Sequence, residues 1–298
     1  MKLTKKQFDV LVFLEGSNTV RSQREIASGT GISVGSVNKI VSELSEKELV
    51  GSGRITEKGI AALEPYRVRK AIFIAAGFGS RLVPITLNTP KPLVRVKGKR
   101  IIDTLLDAVV AAGIEEIYIV RGYLGEQFDQ LLAKYPTIKF IENPVYNECN
   151  NISSVYMARE LLGNSYVFEA DLLMYNPALV TKYQYCTNYL GVPTPRTDDW
   201  CFITDASGVI KKLSIGGINC HHMFGLSYWT YEDGVRLSEH VREVFENVPG
   251  GKERYWDEVA LGYYIDEYKI AVRECTFDDI IEIDTFGELK KIDNNYAM

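Results

Sequence analysis

Ala71-Ile72-Phe73-Ile74-Ala75-Ala76-Gly77-Phe78-Gly79-Ser80-Arg81-Leu82 contains no polar side chain before Ser80. An unbroken apolar run of this length suits a strand buried on both faces, as strands inside a parallel sheet are. Gly77 and Gly79 follow at once and allow backbone amides to approach an anion closely. Working outward, the pattern predicts a helix over 101–112 closed by Gly113, a strand over 116–120 and a helix over 125–135. A strand over 138–142, a helix over 153–162 and a strand over 165–170 follow. Such alternation predicts an α/β fold with a mostly parallel sheet flanked by helices. Sheets of that kind bind ligands beyond the carboxyl ends of their strands, so chemistry is expected just after Ala76, Val120, Glu142 and Ala170. Beyond about residue 185 the chain turns β-rich and aromatic, as a substrate-side lobe would.

The 298 residues are 46% hydrophobic and 24% charged, the composition of a folded soluble protein. No stretch approaches the ~20 apolar residues of a membrane span, and the start of the chain lacks a signal-peptide pattern. Five cysteines lie far apart with no CxxC pair, which favours neither a zinc ribbon nor a disulfide framework. A cytoplasmic location is expected. Charge is divided unevenly. Residues 1–69 hold 11 Lys and Arg against 8 Asp and Glu, while residues 70–298 hold 23 against 31, so +3 and −8 make up the total of −5.

This division, with the break at Pro65-Tyr66-Arg67-Val68-Arg69-Lys70, predicts one domain over 1–68 and a second over 69–298. In the first, Thr4 with Gln7 and Ser22 with Glu25 have capping-box spacing, the second box opening a helix that ends near Gly29. Ser33 can cap a third helix whose Val37, Ile40, Val41 and Leu44 share a face. Residues 49–56 read as a β-hairpin and 57–63 as a final helix. The order resembles a winged helix-turn-helix, with Ile55-Thr56-Glu57-Lys58-Gly59 similar to the wing exit of multiple-antibiotic-resistance-type regulators. The resemblance implies DNA as a partner, with Ser33, Ser36, Asn38 and Lys39 offered to a groove. Glu43, Glu46 and Glu48 in its later part would repel phosphates, which favours the alternative of a small interaction or dimerisation module that kept the fold.

The glycine loop lacks the third small residue and following helix of a dinucleotide fingerprint, because Leu82 and Pro84 stand there, and it lacks the Gly-Lys-Ser/Thr of a P-loop. By itself it reads either as a tight turn or as a phosphate cradle. The longer run Gly77-Phe78-Gly79-Ser80-Arg81-Leu82, Pro84-Ile85-Thr86, Asn88-Thr89-Pro90-Lys91-Pro92-Leu93 resembles the signature of nucleotidyltransferases that activate phosphorylated small molecules with a nucleoside triphosphate. The resemblance implies a Rossmann-like nucleotidyltransferase domain. In it Ala76, Gly77, Gly79 and Ser80 would wrap the triphosphate, Arg81 would neutralise it and Lys91 would position the attacking phosphate. Two polyanions call for a divalent cation, and Mg²⁺ takes carboxylate oxygens. Asp171, at the end of the strand 166–170, and Asp284, in Glu282-Ile283-Asp284, resemble the family's two metal ligands. Glu282 shares the facing of Asp284 in an extended segment, whereas Glu169 reads as structural. Val120-Arg121-Gly122-Tyr123 resembles the segment near the nucleotide base. Asn143 and Asn151 read equally as base-edge readers or as turn and cap residues.

Finer resemblance is to bacterial CTP:phosphocholine cytidylyltransferases, and it rests on Thr197-Asp198-Asp199-Trp200, Gly225-Leu226-Ser227-Tyr228-Trp229 and Arg254-Tyr255-Trp256-Asp257-Glu258. A quaternary ammonium donates no hydrogen bond and is held by aromatic faces and carboxylates, at roughly 0.5–2 kcal/mol per face. Trp200, Trp229, Tyr255 and Asp257 are expected to form that box. The implied reaction joins CTP and phosphocholine into CDP-choline and pyrophosphate. Ethanolamine phosphate and 2-aminoethylphosphonate are alternative acceptors, and a DNA-binding regulator sensing a nucleotide or choline metabolite is the rival class. His221 and His222 match no motif and read as a loop. A homo-oligomer is compatible with the sequence.

Overall fold

Thr4 sets the first helix: its side chain accepts the Gln7 N–H at 3.3 Å, and the Gln7 side chain accepts the Thr4 N–H at 3.2 Å. The structure is a computed structural model that describes residues 2–17 and 19–296. Of these, the residues up to Arg67 together with Tyr183–Tyr185 form one compact unit, and Val68–Lys182 with the residues from Cys186 onward form another.

The first unit holds α1 (Lys5–Glu15), α2 (Gln23–Thr30), α3 (Val34–Glu46), the hairpin β1 (Val50–Gly51) and β2 (Arg54–Ile55), and α4 (Glu57–Leu63). Ser22 and Glu25 make the second capping box, and Ser33 and Thr56 cap α3 and α4. The expected stop of α2 near Gly29 moves to Gly31, whose φ of 68° is the left-handed conformation that glycine tolerates. Gly29 serves packing instead, since a Cβ there would stand 2.0 Å from the Phe13 ring. Phe8, Leu11, Leu14, Ile26, Val37, Ile40 and Leu44 fill this unit's core.

In the second unit the elements are β3 (Lys70–Ala75), β4 (Arg95–Val96), β5 (Lys99–Arg100), α5 (Ile101–Ala111), β6 (Glu116–Arg121) and β7 (Ile138–Glu142). They continue with α6 (Ile152–Ala158), β8 (Ser165–Glu169), β9 (Leu172–Met174), β10 (Asn188–Thr204) and β11 (Ile210–Trp229). The last are α7 (Tyr231–Asn247), β12 (Ala271–Glu274), β13 (Ile280–Glu282) and α8 (Phe286–Ile292). Among the described residues, seven strands form the main sheet in the order β12-β10-β11-β8-β3-β6-β7. β3 lies between β8 and β6, parallel to both, and β7 extends the parallel half, while β11 runs antiparallel to β8 and β10. Both faces of β3 are covered, as its apolar run requires. Phe73 packs with Phe168, Leu105 and Leu106 on one side, and Ile72 with Val167, Val155 and Trp229 on the other.

Several local expectations change. The expected helix over 125–135 is a 3-10 helix over Gly125–Ala133, and the one over 153–162 is α6 followed by a 3-10 turn over Arg159–Leu161. His221 and His222 are not in a loop: they lie inside β11, opposite Pro193 and Val192 of β10. A small antiparallel pair matters most for function. β13 pairs with β9 so that Glu282 faces Leu172, which returns the late chain to the exit of β8.

Candidate active site

The loop after β3 is held by its own backbone needs. Gly79 has φ 66°, and a Cβ there would lie 3.0 Å from Lys91 Cβ, so both conformation and space call for glycine. Leu82, which stands where a dinucleotide site would have a small residue, is fully buried; the loop folds down into the core instead of starting a long helix. Thr86 Oγ1 donates to the Gly79 carbonyl at 2.9 Å. The Tyr123 N–H donates to the Ala76 carbonyl at 3.0 Å, and its hydroxyl reaches the carbonyls of Thr86 and Leu87 at 2.9 and 3.1 Å.

Lys91, between Pro90 and Pro92, is 8% exposed. Its Nζ donates to Asp171 Oδ2 at 2.8 Å and to Asp284 Oδ1 at 2.9 Å, and Arg81 Nη1 lies 2.8 Å from Asp284 Oδ2. Burial by itself lowers an ammonium pKa, but the charges and hydrogen bonds of Asp171 and Asp284 outweigh it and hold Lys91 above the usual lysine range. Asp284, though raised by burial, is held below its usual value by Lys91 and Arg81. One carboxylate oxygen each from Asp171, Glu282 and Asp284 lies within 4.8 Å of the others. Asp171 Oδ1 is buried without a hydrogen-bond partner among the described residues. Burial and the charges of Asp171, Glu169 and Asp284 push the Glu282 carboxyl up to about 10. An all-oxygen donor set with an unpartnered carboxylate oxygen is what a hard divalent cation takes.

These groups line a cavity of about 420 Å³ that also includes Ala76, Gly77, Gly79, Asn143, Asn151, Trp200, Tyr255 and Asp257. Ser80, Tyr123 and Trp229 are not on its wall. Tyr123 is thus a clamp on the loop rather than a lining group. Trp229 is fully buried, donates its Nε1–H to Ser227 Oγ at 3.0 Å and packs edge-on against Tyr189 and Tyr268. The expected third aromatic face of the box is therefore core. Asn143 spends its amide on Ser153 and Ser154 hydroxyls. Asn151 donates to Glu169 Oε1 at 3.1 Å and accepts the Trp256 N–H at 2.9 Å.

Also on the cavity wall, Trp200 and Tyr255 meet edge to face at 5.7 Å between ring centres. Asp257 is 4% exposed and accepts the Tyr189 hydroxyl at 2.9 Å. Burial pushes its carboxyl up to about 7, against the lowering effect of the Tyr189 bond. Glu169, read from sequence as structural, also lines the cavity. Burial first, then the charges of Asp257 and Asp171, push its carboxyl well above the ordinary range. The sequence signal for Glu169 was its position at the end of a strand whose next ligand is Asp171; its apolar neighbours disguised it.

Residues 70–186 match the nucleotidyl transferase family, and residues 1–54 match the MarR family. A 2-aminoethylphosphonate cytidylyltransferase of Lancefieldella rimae is 37% identical over 230 residues, 76% of this chain and 93% of that protein. A choline-phosphate cytidylyltransferase of Haemophilus influenzae is 31% identical over 226 residues, 74% of this chain and 95% of that protein. The solved structure of the CTP:phosphocholine cytidylyltransferase from Streptococcus pneumoniae superposes with a TM-score of 0.71 at 29% identity, covering 77% of this chain and 99% of that one. With a glycine loop at the exit of a parallel strand, a buried lysine and an acidic trio beside it, and relatives that match across nearly their full length, the chain belongs to the cytidylyltransferases of the nucleotidyl transferase family, joined to an N-terminal MarR-type winged-helix domain.

Proposed function

We propose that the chain transfers CMP from CTP to a small phosphonate or phosphate bearing a primary ammonium, with 2-aminoethylphosphonate the favoured acceptor. One observation carries the choice. The acceptor end offers two aromatic rings, Trp200 and Tyr255, beside a buried carboxylate, Asp257, and Trp229 has left the box. Three N–H donors of a primary ammonium suit carboxylate oxygens, whereas a quaternary ammonium relies on aromatic area. The 37% identity to a 2-aminoethylphosphonate enzyme agrees. Phosphocholine is the second reading, supported by the Trp200–Tyr255 pair and by the choline-phosphate relatives.

In this reading an acceptor oxygen attacks the α-phosphorus of CTP, the P–O bond to the β-phosphate breaks, and pyrophosphate leaves. Asp171, Glu282 and Asp284 are the residues that would hold Mg²⁺, whose charge would lower the repulsion between the two anions. Lys91 uses two N–H groups on Asp171 and Asp284 and keeps a third for a phosphate oxygen. Arg81, with its side chain 66% exposed, is long enough to fork onto triphosphate oxygens. No general base is needed, because the acceptor oxygen is already ionised near neutral pH; the residues position and neutralise.

Pyrophosphate release with CTP, Mg²⁺ and a panel of 2-aminoethylphosphonate, ethanolamine phosphate and phosphocholine tests the proposal. The highest kcat/KM is expected for 2-aminoethylphosphonate; a preference for phosphocholine by about tenfold or more overturns it. For the first unit, exposed Ser33, Asn38 and Lys39 on and before α3, with the MarR-family match, support a DNA role. An electrophoretic shift over a salt series reads it, since phosphate contacts weaken steeply with salt.

A further inference from the structure

Gly225 of β11 stands across from Glu169 of β8, next to the paired Leu226 and Phe168. A Cβ on Gly225 would lie 2.2 Å from Glu169 Oε2. No side chain larger than hydrogen fits there while Glu169 keeps its place. The other oxygen, Oε1, is fixed by the Asn151 amide at 3.1 Å, and Asn151 is in turn held by the Trp256 N–H at 2.9 Å. This chain of bonds ties Glu169 to the segment that carries Tyr255 and Asp257. Glu169 therefore has one oxygen anchored by Asn151 and the other set against Gly225, and both Glu169 and Gly225 line the cavity. Asp257 lines the same cavity and gives Oδ1 to the Tyr189 hydroxyl.

Resting on the acceptor class proposed above, we infer that Glu169 is a specificity-determining residue: with Asp257 it forms a two-carboxylate seat for an N–H-bearing ammonium, and Gly225 is glycine to keep that seat open. The reason is one of hydrogen-bond count. A primary ammonium can donate to both carboxylates at once. A trimethylammonium donates to neither, and its methyl groups keep the charge farther from the oxygens. A site built to bind N–H groups rejects an analogue lacking them strongly, because its buried acceptors are left unpaired. Trp200 and Tyr255 offer a face to either head group and so do not discriminate between them.

The test is a methylation series on one scaffold: ethanolamine phosphate and its mono-, di- and trimethylated forms, with CTP and Mg²⁺ saturating. Turnover is followed by pyrophosphate release, and binding by calorimetry so that a non-turned-over acceptor still reports. In the wild-type protein kcat/KM and affinity should fall along the series, by on the order of 100-fold from the first member to the last. Glu169→Gln should compress that ratio by about tenfold or more, with the loss concentrated in KM for the unmethylated acceptors and KM for CTP held within a few-fold. Gly225→Ala, which crowds Glu169 from the opposite strand, should compress it in the same direction. A thermal melt and the CTP KM show that each variant is folded. A flat wild-type series, an unchanged ratio in Glu169→Gln, or a shift confined to CTP and Mg²⁺ dependence would overturn the inference. Failure of 2-aminoethylphosphonate as an acceptor would sink the functional reading alone, because the series never uses a phosphonate.

Discussion

Replacing Asp257 by Asn removes one negative charge at the acceptor end and keeps an oxygen to accept the Tyr189 hydroxyl, now at 2.9 Å. Truncating one partner of a buried, hydrogen-bonded charge pair costs about 2–5 kcal/mol, or roughly 30- to several-thousand-fold at ~1.4 kcal/mol per decade. That loss should appear in the acceptor kcat/KM and leave KM for CTP nearly unchanged. pH separates the charge from the shape. With the Asp257 carboxyl pushed up to about 7 by burial, the wild-type protein must lose a proton there to receive the ammonium. Its advantage over Asp257→Asn should be full above pH 7 and shrink about tenfold per unit below it. The acceptor phosphate titrates near 6 itself, so the ratio of wild type to variant is the quantity to plot. Stability should move the other way. A carboxyl whose folded pKa lies above the ordinary 3.8 burdens the fold as pH rises from about 4 to 7, and the burden is complete above 7. Asp257→Asn is therefore expected to have a higher Tm than wild type at pH 8 and little difference at pH 4. A ratio that stays flat from pH 6 to 8, or a variant whose CTP KM rises instead, would refute the reasoning.

Lys91→Ala should lower kcat/KM by about two orders of magnitude or more, the loss expected when a positioned charge-stabilising donor is removed, and should cost ~3–5 kcal/mol of folding stability by leaving its buried carboxylate partners unpaired. It should also lower Tm in Mg²⁺-free buffer, with partial recovery on adding Mg²⁺; turnover within a few-fold of wild type would contradict its role. Tyr123→Phe deletes the hydroxyl that holds the Thr86 and Leu87 carbonyls. A loss of about 1 kcal/mol, read as a several-fold rise in KM for CTP with the acceptor KM unchanged, is expected, and an unaltered CTP KM would show that the clamp does not matter.

Elements whose causes lie within a few residues were legible along the chain. The capping boxes at Thr4 and Ser22, the apolar run of β3 and the glycine loop each depend on neighbours in sequence, and each stands where the pattern put it. The candidate site was partly legible for the same reason. The stretch from Gly77 to Leu93 carries its own turns and prolines, and Asp171 follows directly from the end of β8. Aromatic side chains were the weak point. Trp200 and Trp229 looked alike in sequence, but β10 and β11 pair with shifts in register, and each shift changes which face a residue presents. Trp200 lines the cavity while Trp229 fills the core.

From residue types and local spacing came the two-part organisation, the class of sheet and a glycine loop at a strand exit, while the resemblance to a nucleotidyltransferase signature singled out the lysine and the aspartates. Tertiary structure decided which of those groups meet. Lys91 and Asp284, 193 residues apart in the chain, share a hydrogen bond because β13 pairs back onto β9. Glu169 reaches the cavity wall because Gly225, on a different strand, leaves it room. Local pattern records a residue's periodicity and its neighbours; the partner of a buried charge is set by strand order, register and the space that another segment yields.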